Sequence, residues 1–138
     1  MDNTRELTEL LHVGMTLTKT LGMRAVENAP ERVVIDMDGS PDRVTAGGLR
    51  HGGAIMALAD AAGGLSAFMN LPDGSGGTST IESKTNFIGG VKEGQTVRAT
   101  STPLHVGGST IVVETTLTVE GRLVAKVTQT QTVLRPPA

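Results

Sequence analysis

The stretch "LRHGGAIMALADAAGG", residues 49–64, decides how the rest of the chain is read. Apolar residues continue through Ile55, Met56, Leu58, Ala59, Ala62, Leu65 and Phe68 until "NLPDGSGG", where Pro72 and the glycines stop a helix. The pattern predicts one long, mostly buried helix over about residues 52–69. Two features of this helix call for a physical reason. Gly63 and Gly64 lie in its interior, where glycine costs about 1 kcal/mol each relative to alanine, so something is expected to approach that backbone closely. Asp60 is the only charged residue from 54 to 65, and no Lys or Arg occurs between Arg50 and Lys84 to neutralise it. A carboxylate buried without a partner is costly, so a functional role is expected for it.

Outward from the helix, the chain divides cleanly. Upstream, Leu7, Leu10, Leu11, Met15 and Leu17 follow helical spacing over residues 4–20 and predict a short N-terminal helix. "GMRAVENAPERVVIDMDGS" reads as two extended runs around the turn "NAPE", and "GSPDRVTAGGLR" as a loop. Downstream the period becomes two. "TSTIESKTNFIGG", "GQTVRATSTPLHVG", "STIVVETTLTVEG" and "RLVAKVTQTQTVL" are four Thr- and Val-rich strands, and the short connections between them predict a four-strand meander. The expected architecture is α+β: a curved antiparallel sheet wrapped around one long central helix, in one domain over residues 1–138.

Composition narrows the function. The chain is 38% hydrophobic and 19% charged, with a net charge of −2 and only Phe68 and Phe87 as aromatics. Scattered cations and so few rings argue against a nucleic-acid partner. The absence of cysteine excludes disulfides, thiolate metal sites and a cysteine nucleophile. The acidic, amphipathic start "MDNTRELTELLHVG" lacks the basic and apolar segments of a secretory signal, and no run is expected to reach the length of a membrane span. A cytoplasmic protein without a membrane partner or metal is expected.

The helix entry carries the chemistry. His51, Gly52 and Gly53 precede the first turn, where free backbone N–H groups unobstructed by side chains can hold developing negative charge. His51 and Asp60 are nine residues apart, about half a turn out of phase and roughly 13 Å along the axis. One helix cannot bring both to one substrate. A two-fold dimer with antiparallel helices can, and would create two equivalent sites.

With those residues in view, "HGGAIMALADAAGG", "TIESKTNFIGGVKEG" and "PLHVGG" resemble the hotdog-fold acyl-CoA thioesterases, closest to the phenylacetate-pathway and enterobactin-pathway proofreading branch. The resemblance spans roughly residues 15–134. It implies a hotdog fold, an acyl-CoA substrate with no further cofactor, and a homodimer with shared sites, assembled as a dimer of dimers. It further implies Asp60 as nucleophile or general base, the Gly52 N–H polarising the thioester carbonyl, and His51 lining the site. Thr45, Gly53, Gly64 and Phe68 would border the acyl group, whose pocket could also include Met56, Leu65 and Met69. Coenzyme A would lie along Ile88, Gly89, Gly90 and Val91 and along Pro103, Leu104, His105, Val106, Gly107 and Gly108. The residues alone identify those segments only as Gly-rich turns.

The chain departs from the family at three places. Thr45 stands where Asn or Gln is usual, Gly64 where many relatives have Ser or Thr, and Gly107–Gly108 where a basic residue is common, which would leave phosphate contacts to Lys92 or His105. Two other readings use the same residues. A hotdog dehydratase or hydratase would move a proton on an acyl thioester without releasing thiol, and a binding or sensing module would hold acyl-CoA without hydrolysis.

Overall fold

The computed structural model describes residues 2–137. Helix α1 spans Thr4–Gly14 and α2 spans Thr16–Thr20, so the expected N-terminal helix is broken at Met15. Strands β1 (Met23–Ala29) and β2 (Arg32–Met37) form the expected pair around Pro30–Glu31. The long helix α3 is Gly52–Met69, matching both expected ends. Strands β3 (Gly77–Phe87), β4 (Val97–Val106), β5 (Thr110–Val119) and β6 (Arg122–Leu134) follow.

All six strands form one antiparallel sheet in the order β1-β2-β4-β5-β6-β3, curved around α3 in the hotdog arrangement. Alternation produces the inner face directly: in β5, Ile111, Val113, Thr115, Leu117 and Val119 are buried while the residues between them are not. The helix meets this face with small residues, Ala54, Ala59, Ala61, Ala62 and Gly63, around the larger Ile55 and Leu58. Val33, Ile35, Met37, Val97, Ala99, Leu117 and Val127 complete the same core. Small side chains on the helix let the sheet approach closely, which is how a chain with two aromatics fills its interior.

The meander expectation is corrected. Strands β4, β5 and β6 are consecutive neighbours, but β3 pairs with β6 on the far edge and not with β4. The segment after β3 does not turn back because the helix entry holds it: Arg50 N donates to Val91 O at 2.7 Å, and Leu49 bridges Lys92. The chain is thereby led across the start of α3 to the middle of the sheet. The membrane-length expectation is corrected too. Helix α3 has 18 residues with a hydropathy of 1.3, long and apolar enough to span, yet it packs its buried stripe on the chain's own sheet as a core helix.

The two edges of the sheet differ. Along β1, α1 covers backbone groups: Ala25 N donates to Thr8 Oγ1 at 2.9 Å, and His12 Nε2 meets Met23 O at 2.7 Å. The other edge, β3, has no such cover among the described residues, and most of its own residues are exposed. An open edge of 11 residues is a template for pairing with another strand.

Candidate active site

At the entry of α3, His51 is the N-cap. Its Nδ1 accepts the Gly53 N–H at 2.9 Å, which places the ring proton on Nε2. Gly53 N–H is therefore already engaged. Gly52, at the first helical position, has no acceptor for its N–H inside the helix, so this donor is available to an incoming oxygen. Gly52 has a steric reason as well: a Cβ there would lie 3.1 Å from Phe87 Cζ, so the ring at the end of β3 rests almost on its backbone. Together with Leu49, Ile55, Ile88 and Val91, these residues line a cleft of about 330 Å³.

Arg50 sits beneath the entry and is buried. Its Nη2 donates to Glu93 O at 3.4 Å and Gln95 O at 2.5 Å, tying the 93–95 loop to the helix start. Loss of water around the guanidinium, and then the nearby Arg43 charge, lower its pKa from the usual arginine range.

Two turns further along α3, Asp60 is exposed, not buried as expected. It belongs to a stripe that the chain's own sheet leaves uncovered, with Gly53, Met56 at 40% exposure and Phe68 at 60%. The charge pattern of residues 54–65 could not reveal this stripe, because its other members are small or apolar. Asp60 is nevertheless held. Gln129 Nε2 donates to its Oδ1 at 2.7 Å, and Thr80 Oγ1 lies 3.5 Å from the same oxygen. The Thr80 hydroxyl accepts from Gln129 Nε2 at 3.0 Å and Gln131 Nε2 at 2.6 Å, which leaves its own proton for Asp60.

A sequence profile of the thioesterase superfamily matches residues 47–126, more than half of the chain, from before the entry of α3 through Asp60 and Thr80 to just short of Gln129. The chain belongs to the thioesterase superfamily. The protein named "Putative esterase ComA2" of Bacillus subtilis (strain 168) is 38% identical over 97 residues, 70% of this chain and 76% of that protein. Among solved structures, thioesterase HI1161 of Haemophilus influenzae superposes with a TM-score of 0.85 at 21% identity, covering 98% of this chain and 92% of its own. The E. coli PaaI protein from the phenylacetic acid degradation operon superposes at 0.82 and 18% identity, covering 95% and 93%. At those identities the structures establish the shared hotdog fold.

Within this thioesterase-superfamily chain, the expected site residues fall into separate groups. Gly52, His51, Gly53 and Ile88–Val91 gather at one end of α3, whereas Asp60 and Gly64 lie further along the helix and Phe68 nears its far end. Thr45 joins neither group; its N–H and hydroxyl both turn to Leu49 O, at 2.8 and 3.5 Å. Ile88 N and Gly89 N donate to Val124 O, so these two donors are engaged and not free for a phosphate. The Pro103–Gly108 segment ends β4 with Leu104, His105 and Val106 exposed, and Gly107 N is taken by Thr110 O. It lies by the start of β3 and the end of β6, at the end of the sheet opposite Ile88–Val91. Each of those turns instead receives an arginine from elsewhere: Arg122 donates to Gly90 O and Arg135 to Gly108 O.

The close approach expected at Gly63–Gly64 is found at Gly63 alone. A Cβ on Gly63 would overlap Gln129 Oε1 and sit 3.1 Å from Val113 Cγ2, whereas one on Gly64 would meet open space. Gln129, Gln131 and Thr80 are site residues the sequence reading missed. The glutamines were detectable in "VTQTQTV", because they share the buried phase of Val127 and Val133. A polar residue on the core phase of a strand marks a buried polar contact.

Proposed function

We propose that this thioesterase-superfamily protein hydrolyses acyl-CoA thioesters at two sites formed between the subunits of a homodimer. The observation that carries the proposal is the placement of the two reactive groups beside one open strand edge. The Gly52 N–H lies under Phe87 at one end of β3, and Asp60 lies beside Thr80 toward the other end. Eight residues of helix separate them by about 12 Å, too far for one thioester in one chain. Antiparallel pairing of β3 with its copy reverses one strand against the other. If Phe87 of one copy sits opposite Thr80 of the other, the bulge at Ile81 leaves six regular steps between them, the two-fold axis passes at Lys84, and each Gly52 faces the other chain's Asp60. The same operation buries the exposed stripe of α3. It also brings the Ile88–Val91 turn of one subunit to the same end of the joined sheet as the Pro103–Gly108 turn of the other, as a long coenzyme A molecule requires.

In this arrangement the thioester carbonyl accepts the Gly52 N–H at the positive end of α3, which stabilises the oxyanion as it forms. Asp60 supplies the second half of the reaction. As a general base it takes a proton from water, whose oxygen bonds to the carbonyl carbon. The tetrahedral species then collapses, the C–S bond breaks, and the thiolate leaves and is protonated. As a nucleophile Asp60 would bond to the carbonyl carbon and displace the thiolate, giving a mixed anhydride that water then cleaves to the free acid and the restored carboxylate. His51 sets the helix entry through Gly53. Met56 and Phe68 supply apolar surface for the acyl group.

Thiol release across aryl-, short- and medium-chain acyl-CoAs, with Asp60→Asn as control, tests the proposal. Release that depends on Asp60 supports it. Binding of acyl-CoA with no thiol release by the native protein would favour a binding module, in line with the open space beside Gly64 and the locally engaged Thr45. Hydration of crotonyl-CoA without thiol release would favour a hydratase.

A further inference from the structure

Gln129 is fully buried, on a strand face it shares with Ala125, Val127, Gln131 and Val133. Its Oε1 has no hydrogen-bond partner among the described residues. A buried carbonyl without a donor is destabilising, and a valine or leucine would avoid the loss. The amide also constrains the helix opposite: its Oε1 occupies the space that a Cβ on Gly63 would need. Glycine inside a helix is itself unfavourable. Two separate costs in stability thus converge on one side chain. What they secure is the bond from Gln129 Nε2 to Asp60 Oδ1 at 2.7 Å, supported by the bond to Thr80 Oγ1 at 3.0 Å. The amide can face only this way, because a carboxylate offers acceptors and so requires the N–H₂ end.

We infer that Gln129 is a positioning residue for Asp60 and that Gly63 is its seat. By engaging Oδ1, the amide fixes the carboxylate plane and leaves Oδ2 as the oxygen that works on water or substrate. Gly63 is kept as glycine so that the amide can reach across beneath the helix. The inference rests on the hydrolytic reading of Asp60 given above.

Kinetics of Gln129→Met, which keeps length and loses the donor, test it first. We expect kcat to fall about 10- to 100-fold with KM changed less than about two-fold, because a misplaced catalytic group loses rate without losing ground-state binding. Gly63→Ala should displace the amide and reproduce that kcat-selective loss. Placed on Gln129→Ala, where no amide remains to displace, Gly63→Ala should cost less than about a further two-fold. A rise in KM that accounts for the whole loss in Gln129→Met, or losses from Gly63→Ala and Gln129→Ala that multiply, would overturn the inference. A second readout does not depend on turnover. The Gln129 side-chain amide resonances of ¹⁵N-labelled protein should move in Asp60→Ala, and unchanged resonances would show that the contact is absent. If Asp60→Asn retains full thiol release, the hydrolytic reading fails while the resonances still decide the contact.

Discussion

Subunit complementation offers the most direct test of a site shared between two chains. The first variant, Asp60→Asn, removes the carboxylate and should lower turnover about 10²- to 10⁴-fold, as expected for a lost general base. The second, Gly52→Pro, removes a single hydrogen-bond donor. Gly52 is the first residue of α3, where proline is tolerated because that N–H has no partner in the helix. His51 before it has φ −60° and ψ 129°, the extended conformation that a following proline favours. The added carbon would meet Phe87 Cζ near 3.1 Å, and the ring, 54% exposed, is free to yield. Loss of one oxyanion donor should lower turnover about 10²- to 10³-fold. Each variant alone is then nearly inactive.

Mixing the two in equal amounts and allowing subunits to exchange makes about half of the dimers mixed. In a mixed dimer with sites formed across the interface, one site draws Gly52 from the Asp60→Asn chain and Asp60 from the Gly52→Pro chain, and is native. The other site carries both lesions. Half the dimers with half their sites active restores about 25% of wild-type activity per subunit. If Gly52 and Asp60 of one chain served the same thioester, every site in the mixture would keep a lesion. Thiol release measured before and after exchange through mild denaturant decides between these outcomes, with each variant exchanged against itself as control. An unchanged rate in an exchanged mixture would refute the shared site and the spacing argument behind it.

Other outcomes follow from the same geometry. Ile81 is 65% exposed on the open β3 edge, and covering that fraction in each copy is worth about 2–4 kcal/mol per dimer, so Ile81→Lys should weaken dimerisation about 30- to 1,000-fold by sedimentation equilibrium; an unchanged dimer would exclude this edge. Leu58 is fully buried between α3 and the sheet, and Leu58→Ala should cost about 2–5 kcal/mol in denaturant unfolding, with a loss below about 1 kcal/mol arguing against the central packing. The Asp38 carboxyl is held below the usual carboxylate range, first by the bond from Arg24 and then by Thr96. A depressed native pKa gives stability that is present above the unfolded value and lost as pH falls through the native one. Asp38→Asn should therefore flatten the fall in stability below about pH 4, by less than about 1 kcal/mol because the pair is half exposed; an unaltered acid profile would show that the pair contributes nothing.

Local order in the chain was enough to locate the elements. His51 as cap, the apolar run behind it and Pro72 beyond it bounded α3 at Gly52 and Met69, since helix ends are decided by neighbouring residues. Alternation did the same for the strands, and the nine residues from His51 to Asp60 already set the two too far apart to meet on one helix, since helical rise is a constant of the backbone. What local order could not decide was which strand lies beside which. The pairing of β3 with β6 joins residues such as Thr80 and Gln131 that are far apart in sequence, and a short Gly-rich connection looks the same in a hairpin and in a crossover. That pairing decides the rest of the site. It puts Gln129 and Thr80 onto Asp60, presses Gln129 Oε1 against Gly63, and leaves β3 open along its outer edge. Residue types and spacings thus determined the candidate reactive groups and their separation. Tertiary structure alone decided what holds Asp60 and which edge is open to a partner, because both depend on contacts between distant segments of the chain.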